Sequence, residues 1–230
     1  MGSNLTMKYI LLSEKKWHDS LFHNLHDRKN EEWLRVSSKS DFTLEFLNEL
    51  KPDRIFIPHW SHIIPADIFE NFECIVFHMT DLPYGRGGSP LQNLIIRDCK
   101  ETKISALRVD KGLDTGDIYL KKELMLFGTA QEIFLRSSMI IFMMIDEIIT
   151  KDILPKAQEG EIVEFRRRKP EEGDIIELKD IEKIYDYIRM LDAEGYPNAF
   201  IKVGNLRLEF SRATIKNSKT ILADVRIIKE

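Results

Sequence analysis

The most chemically suggestive segment of the chain is residues 77–90, which reads FHMTDLPYGRGGSP. It places His78 directly after an apolar run and before a loop containing three glycines. Histidine exchanges protons near neutral pH, and a glycine-rich loop that opens a helix lets backbone amides approach an anion. Taken alone, the segment is explained more simply by a structural histidine beside a turn.

A second segment, residues 109–117, reads VDKGLDTGD. Asp110 and Asp114 flank a glycine turn, and Asp117 follows closely. A carboxylate at such a place can orient a histidine or hold a metal. Aspartate and glycine also dominate ordinary turns, so this segment alone has a structural explanation as well.

Strands and helices alternate around these two segments. Short apolar runs predict strands at 8–13, 33–36, 55–57, 74–77, 103–109 and 117–126. Helical patterns appear at 42–50 after Asp41, at 66–72, at 91–99, and in a long stretch opened by a Thr129–Glu132 capping box. This order predicts an α/β protein with a Rossmann-like, open, mainly parallel sheet. Ligands of such sheets bind beyond the carboxyl ends of the strands, so we expect His78 and Asp114 to face one crevice.

The composition changes after Pro155, where turn-rich charged segments begin. A helix capped by Asp180 and strands at 199–203, 206–210 and 221–228 predict a small α/β extension with antiparallel strands. We therefore expect a catalytic domain at 1–155 and a C-terminal extension at 156–230. The antiparallel strands could extend a sheet across a homodimer.

Charge and hydropathy favour a cytoplasmic protein without nucleic-acid or membrane partners. The formal net charge is −4, and acidic residues surround the one basic cluster, 166–169. No apolar run is long enough to span a membrane, and residues 1–8 lack the order of a secretory signal. Neither Cys74 nor Cys99 belongs to a C-x-x-C pair, and no group of residues has metal-ligand spacing, so no metal is expected.

Together, the two segments resemble a known family. Residues 78–87 (HMTDLPYGRG) resemble the H-x-S-L-L-P-x-x-R-G signature of folate-dependent formyltransferases, and 112–117 (GLDTGD) match that family's loop at every position. Residues 52–57 resemble its P-D-x-I-x-V strand, and 60–65 stand where it has an aromatic-led turn. Residues 167–170 and 188–200 look like segments of sugar N-formyltransferases and related relatives of methionyl-tRNA formyltransferase. The resemblance covers most of 52–210.

One position departs from the family pattern. The family usually carries asparagine two residues before the histidine, whereas this chain has Val76. That amide normally helps to hold the carbonyl oxygen as it gains charge, and one such donor typically contributes about 3 kcal/mol. Asn93, Gln92, Thr80 or a backbone amide are the candidates to replace it. Altered or lost activity is the other interpretation, and it keeps a non-catalytic relative open.

The resemblance implies an enzyme that moves a formyl group from N10-formyltetrahydrofolate to an amine. His78 would stabilise the developing oxyanion and carry a proton from the amine to the folate nitrogen, and Asp114 would orient His78. The folate-binding residues implied by the resemblance are Trp60, Ile63, Val109, Asp110, Gly112 and Leu113. The candidate acceptor-binding residues are Thr80, Tyr84, Arg86, Gly87, Gln92 and Asn93.

The acceptor we expect is a dTDP- or UDP-linked 4-amino-4,6-dideoxysugar for cell-surface glycans such as O-antigen or flagellar sugars, by family analogy. The alternatives are a methionyl-tRNA formyltransferase-like enzyme that acts on another amine, and a non-catalytic protein that binds folate or a sugar nucleotide. A phosphoribosyl amine of purine synthesis and simple hydrolysis to formate are further alternatives. The tRNA acceptor ranks below the sugar because the chain lacks a large basic C-terminal domain.

Overall fold

The computed structural model describes residues 6–230. Residues 1–5, which carry most of the segment used to argue against a secretory signal, lie outside it. The strands are β1 (Met7–Leu12), β2 (Glu31–Val36), β3 (Arg54–Pro58), β4 (Cys74–His78), β5 (Tyr84–Gly87), β6 (Glu101–Arg108), β7 (Ile118–Met125), β8 (Val163–Phe165), β9 (Ala199–Val203), β10 (Leu206–Asn217) and β11 (Thr220–Lys229). The α-helices are α1 (Asp19–His26), α2 (Leu44–Leu50), α3 (Ala66–Phe69), α4 (Pro90–Ile96), α5 (Ala130–Lys151) and α6 (Ile181–Leu191), and short 3-10 helices cover Lys16–His18 and Pro170–Gly173.

The chain forms two compact units, each discontinuous in sequence. One contains residues up to Arg86 together with 103–124 and 135–164, and the other contains 87–102, 125–134 and 165–230. The predicted division into a catalytic domain at 1–155 and an extension at 156–230 stays a prediction.

A six-stranded sheet of order β2-β1-β3-β4-β6-β7 forms the centre of the first unit. The pairs β1–β2, β1–β3 and β3–β4 are parallel, whereas β4 and β6 are antiparallel. This confirms the predicted mainly parallel, Rossmann-like α/β sheet. The core strands are almost fully apolar, as expected for strands that are covered on both faces.

The antiparallel direction of β6 corrects one expectation. His78 pairs with Ser105 and Ile75 pairs with Arg108, so β6 ends beside the start of β4. The loop at 109–117 therefore does not leave the sheet at the edge where His78 lies. It reaches His78 only by running back along the sheet.

Local signals explain several helix boundaries in the first unit. Thr43, and not Asp41 as predicted, caps α2, because its side chain accepts a hydrogen bond from the Phe46 amide. The helix ends at Leu50, and Lys51, the residue after it, has a left-handed backbone just before Pro52. Among residues 6–230, no helix has the length and apolar composition needed to cross a membrane.

The second unit contains a three-stranded antiparallel sheet of order β11-β10-β9. Helix α6 begins at the predicted cap, where Asp180 Oδ1 accepts from the Lys183 amide at 2.8 Å. An ion pair between Arg189 and Asp186 is buried on this helix, with Nε and Oδ1 2.6 Å apart. Arg189 also donates to the carbonyls of Leu126 and Gly128, so three hydrogen bonds hold its buried charge.

Candidate active site

His78 is the last residue of β4 and is 8% exposed. Its Nε2 lies 2.8 Å from the carbonyl oxygen of Gly85, and the Thr80 hydroxyl donates to the same oxygen at 3.2 Å. Because a carbonyl can only accept, this contact assigns a proton to Nε2. The strand and the following turn thus fix the imidazole ring from one side.

Asp114 approaches the other ring nitrogen. The distance from His78 Nδ1 to Asp114 Oδ2 is 3.5 Å, and both side chains are largely buried. This is longer than an ordinary N–H···O bond, and catalytic contacts often shorten only when substrate is bound. Acceptor groups therefore lie on both sides of the ring, the Gly85 carbonyl at Nε2 and the Asp114 carboxylate at Nδ1.

The loop that carries Asp114 has a constrained backbone. Asp114 has φ = 56°, a left-handed conformation that aspartate tolerates better than most residues. Gly116 packs so tightly that an added Cβ would lie 1.8 Å from the carbonyl oxygen of Arg108. The second glycine of the GLDTGD segment, Gly116, is therefore required because the loop passes so close to the Arg108 backbone.

Val76 lies on the same strand face as His78, since alternate residues of a strand point the same way. It packs against an apolar cluster that includes Ile57 and Ile68. The amide that the family usually has at this position therefore has no counterpart on this face of β4. Thr80, one of the proposed replacements, directs its hydroxyl to the Gly85 carbonyl.

The predicted folate-binding residues lie on two neighbouring parts of the first unit. Trp60 and Val109 are half-buried against the same apolar cluster. Ile63 and Leu113 are 88% and 66% exposed, so each presents an apolar side chain to solvent. Val109 and Asp110 also line a cavity of about 480 Å³ with Phe69, Glu70, Arg108 and Lys111. Asp110 Oδ1 accepts from the Gly112 amide at 3.0 Å and from the Thr115 hydroxyl at 2.6 Å, which shapes the turn.

The predicted acceptor-binding residues of the first unit are Thr80, Tyr84 and Arg86. Thr80 is fully buried, whereas Tyr84 is half-buried at the start of β5. Arg86 donates from Nε and Nη2 to the side-chain oxygen of Gln158, at 3.2 and 2.8 Å. Arg86 thus has a structural partner that the sequence did not indicate.

The remaining predicted acceptor-binding residues, Gly87, Gln92 and Asn93, belong to the second unit. The Gln92 amide donates to the Met190 carbonyl at 3.0 Å. The Asn93 amide lies 3.0 to 3.1 Å from the carbonyls of Gly88, Ser89 and Arg166. Both amides therefore hold the backbone of this unit together. Gly87 has φ = 107° and lies so close to Phe165 that an added Cβ would be 2.3 Å from its carbonyl oxygen.

A hydrogen-bonded histidine pair, which no motif indicated, lies in the first unit. His18 Nε2 and His59 Nδ1 are 2.8 Å apart, His18 Nδ1 is 2.8 Å from the Ser138 hydroxyl, and His59 Nε2 is 2.9 Å from the Met79 sulfur. Burial lowers the pKa of His18 to about 2 and that of His59 to about 3. Two neutral rings satisfy every contact if protons run from Ser138 through both histidines to Met79. This series of hydrogen bonds fixes the side chains of His59, which precedes Trp60, and Met79, which follows His78.

Gln158 also contributes to the site, although no motif in the sequence pointed to it. Besides accepting from Arg86, its amide nitrogen donates to the carbonyls of Asp114 and Gly116 at 2.9 and 2.8 Å. In the sequence it stands in a turn-rich stretch with no motif of its own. Within residues 6–230, no three His, Cys, Asp or Glu side chains come close enough to hold a metal ion.

Comparison with known proteins decides the family. A sequence profile described as "Formyl transferase" matches residues 18–135, and one described as "Methionyl-tRNA formyltransferase, C-terminal domain" matches 170–228. The chain belongs to the formyl transferase family. The one-carbon donor of this family is N10-formyltetrahydrofolate, as the resemblance implied.

The relatives of known name refine this assignment. A solved structure of methionyl-tRNA formyltransferase from Clostridium thermocellum is 54% identical, with a TM-score of 0.95, covering 97% of this chain and all of that one. A curated methionyl-tRNA formyltransferase from Thermodesulfovibrio yellowstonii is 30% identical over 66% of this chain and 52% of its own length. The matches span between 29% and 59% of the curated relatives' lengths.

These comparisons correct two expectations. The 4-N formyltransferase from Francisella tularensis is 17% identical, with a TM-score of 0.67 over 87% of this chain and 94% of that one, which shows the shared fold alone. The nucleotide-linked amino sugar, with its glycan pathway, is therefore the wrong acceptor class, because the strong matches are named for methionyl-tRNA. The expectation that nucleic acid is excluded as a partner is contradicted by the same relatives.

The physical reason for the error is that net charge averages over the whole chain. Residues 199–230, which form β9 to β11, contain seven Lys or Arg and three Asp or Glu, a formal charge of +4. The acidic balance of the other residues hides this value in the total of −4. A local charge count, rather than the total, carries the information about a phosphate-bearing partner.

Proposed function

We propose that the protein transfers the formyl group of N10-formyltetrahydrofolate to the amino group of methionyl-tRNA. The observation that carries this proposal is the 54% identity, over 97% of the chain, to a structure named methionyl-tRNA formyltransferase. The profile match of residues 170–228 to a methionyl-tRNA formyltransferase C-terminal domain supports the same acceptor.

The side chains around His78 suit this transfer. Bound N10-formyltetrahydrofolate would supply an activated formyl carbon for attack by a neutral amine. The half-buried rings and methyls of Trp60 and Val109 offer an apolar surface for a flat pterin beside the exposed Asp110 turn. His78, with Nδ1 facing Asp114, would stabilise negative charge on the formyl oxygen and pass on the proton lost by the amine through Nε2, which would exchange its contact with the Gly85 carbonyl for the substrate.

Asp114 contributes by electrostatics and orientation. Its carboxylate faces Nδ1 of His78, so it orients the ring and would offset positive charge that the ring takes up during the transfer. Because Val76 provides no amide on this strand face, His78 carries a larger share of oxyanion stabilisation than a histidine with an asparagine two residues upstream.

The charge of the C-terminal strands supports an RNA acceptor. The formal charge of +4 on residues 199–230 provides sites for phosphates, and the attraction would weaken as salt concentration rises. If these contacts bind tRNA, the KM of this protein for tRNA should rise at higher salt, with little change in kcat.

The proposal is tested by incubating the protein with N10-formyltetrahydrofolate and initiator tRNA charged with radiolabelled methionine. Formyl-methionyl-tRNA should form with His78 and Asp114 intact, and its rate of formation should fall by about 10²- to 10⁴-fold in His78→Ala. Formate release without acceptor is followed in parallel. If a known methionyl-tRNA formyltransferase formylates the same tRNA while this protein does not, the proposed acceptor is wrong.

A further inference from the structure

Gln158 connects two parts of the candidate active site that are far apart in sequence. Its side-chain nitrogen donates to the carbonyl oxygens of Asp114 and Gly116, and its side-chain oxygen accepts two hydrogen bonds from Arg86. All four bonds are between 2.8 and 3.2 Å long, and the side chain is half-buried. Both the oxygen and the nitrogen of the side-chain amide are therefore hydrogen-bonded.

The geometry of the loop explains what these bonds achieve. Asp114 has a left-handed backbone, with φ = 56°, which an aspartate adopts at an energetic cost unless its surroundings hold it. The two carbonyls that Gln158 binds belong to Asp114 itself and to the glycine two residues later. Gln158 therefore fixes the loop backbone on both sides of Thr115, where a small rotation would move the Asp114 carboxylate away from His78.

Arg86 anchors the other end of the amide. Its two donors orient the Gln158 oxygen, which leaves the nitrogen facing the loop. A glutamate at position 158 would keep the contact with Arg86 but would place a carboxylate oxygen against two carbonyl oxygens. Only a side chain with an acceptor at one end and donors at the other satisfies both partners.

We infer that Gln158 is a positioning residue for the reaction, which holds the Asp114 carboxylate against His78 through the loop backbone. The inference rests on the proposed formyl transfer, in which Asp114 acts on His78. It assigns a role to an Arg86–Gln158 pair that links the glycine-rich segment to the aspartate loop. Gln158 touches no reacting atom in this account and acts only through Asp114.

The experiment compares kcat and KM of the full chain with Gln158→Ala, Gln158→Glu, Asp114→Asn and the Gln158→Ala/Asp114→Asn double variant. Each Gln158 variant should lose about 10- to 100-fold in kcat, the range expected when a catalytic group is displaced by about 1 Å. The double variant should be within about twofold of Asp114→Asn alone, because residues that act as a unit are not additive. Gln131→Ala, which removes an exposed contact to the Glu194 amide, is the matched control and should keep wild-type kcat.

Nuclear magnetic resonance of the His78 ring gives a readout that does not depend on turnover. Ring signals of Gln158→Ala and Gln158→Glu should move toward those of Asp114→Asn, while Gln131→Ala leaves them in place. Unchanged His78 signals in both Gln158 variants, wild-type kcat in Gln158→Glu, or fully additive losses in the double variant would each overturn the inference. A wild-type protein without formylation of methionyl-tRNA would count against the proposed function instead, and the ring signals would still decide the role of Gln158.

Discussion

Lowering the pH should destabilise this protein, chiefly through the buried imidazole of His18. His18 is fully buried between Ser138 and His59, and burial lowers its pKa to about 2, with smaller contributions from nearby His59 and Arg35. In the unfolded chain the same group has an ordinary pKa of about 6.5. The unfolded state therefore binds more protons between these two values, so folding stability is fully present above pH 6.5 and falls as the pH is lowered from there.

The size of this effect follows from the shift. Each pH unit below 6.5 removes about 1.4 kcal/mol for a group that stays neutral when folded, so His18 should account for about 2 kcal/mol at pH 5. His59, whose pKa burial lowers to about 3, adds to this loss. The residue as a whole is only partly buried, whereas His18 is fully buried, so we assign His59 a smaller share.

Urea unfolding of the wild type and His18→Gln at pH 7 and pH 5 measures the prediction. His18→Gln should be less stable at pH 7, because it disturbs the contacts to Ser138 and His59, but its loss on acidification should be smaller by about 2 kcal/mol. His23→Gln is the control, since His23 has a side chain that is 77% exposed. If His18→Gln and the wild type lose equal stability between pH 7 and pH 5, the burial argument for His18 is wrong.

Three further outcomes follow from the geometry. His78→Ala should lower kcat by about 10²- to 10⁴-fold in a methionyl-tRNA formylation assay. A smaller loss would mean that His78 does not carry the proton in the reaction. Gly116→Ala should abolish turnover and lower the melting temperature, because its Cβ would lie 1.8 Å from the Arg108 carbonyl oxygen; normal activity would show that the loop can shift. Arg189→Ala should cost about 3 to 5 kcal/mol in urea unfolding, since it leaves the Asp186 carboxylate buried without its partner. A cost below about 1 kcal/mol would mean that water reaches Asp186.

Much of the fold could be predicted from the sequence because local signals and apolar runs agree. The Thr129–Glu132 capping box opens α5, as the hydrogen bonds in both directions show. Asp180 caps α6, and the buried runs of β1, β3 and β4 lie where they were predicted. These features depend on residues close together in sequence, which is why no tertiary information was needed.

What could not be predicted depends on contacts between distant residues. The direction of β6 is set by its pairing with β4, and the apolar run of residues 103–109 is the same for either direction. Gln158 has no motif because its role comes from meeting a carbonyl pair more than forty residues away. The juxtaposition of His78 and Asp114 was expected from the order of the strands, and the two side chains do meet. The reason given for it, a shared strand edge, was wrong because β6 is antiparallel to β4.

The reversed direction of β6 has a consequence for how this enzyme can change. Asp114 arrives at His78 on a returning loop whose length is independent of the hydrogen-bond ladder of the sheet. The segment between Asp110 and Asp114 makes no strand pairing, whereas Gly116 and the two carbonyls bound by Gln158 fix the end of the loop. The approach of Asp114 to His78 can therefore be altered by changes in the first half of the loop while the pairing of the central sheet is kept.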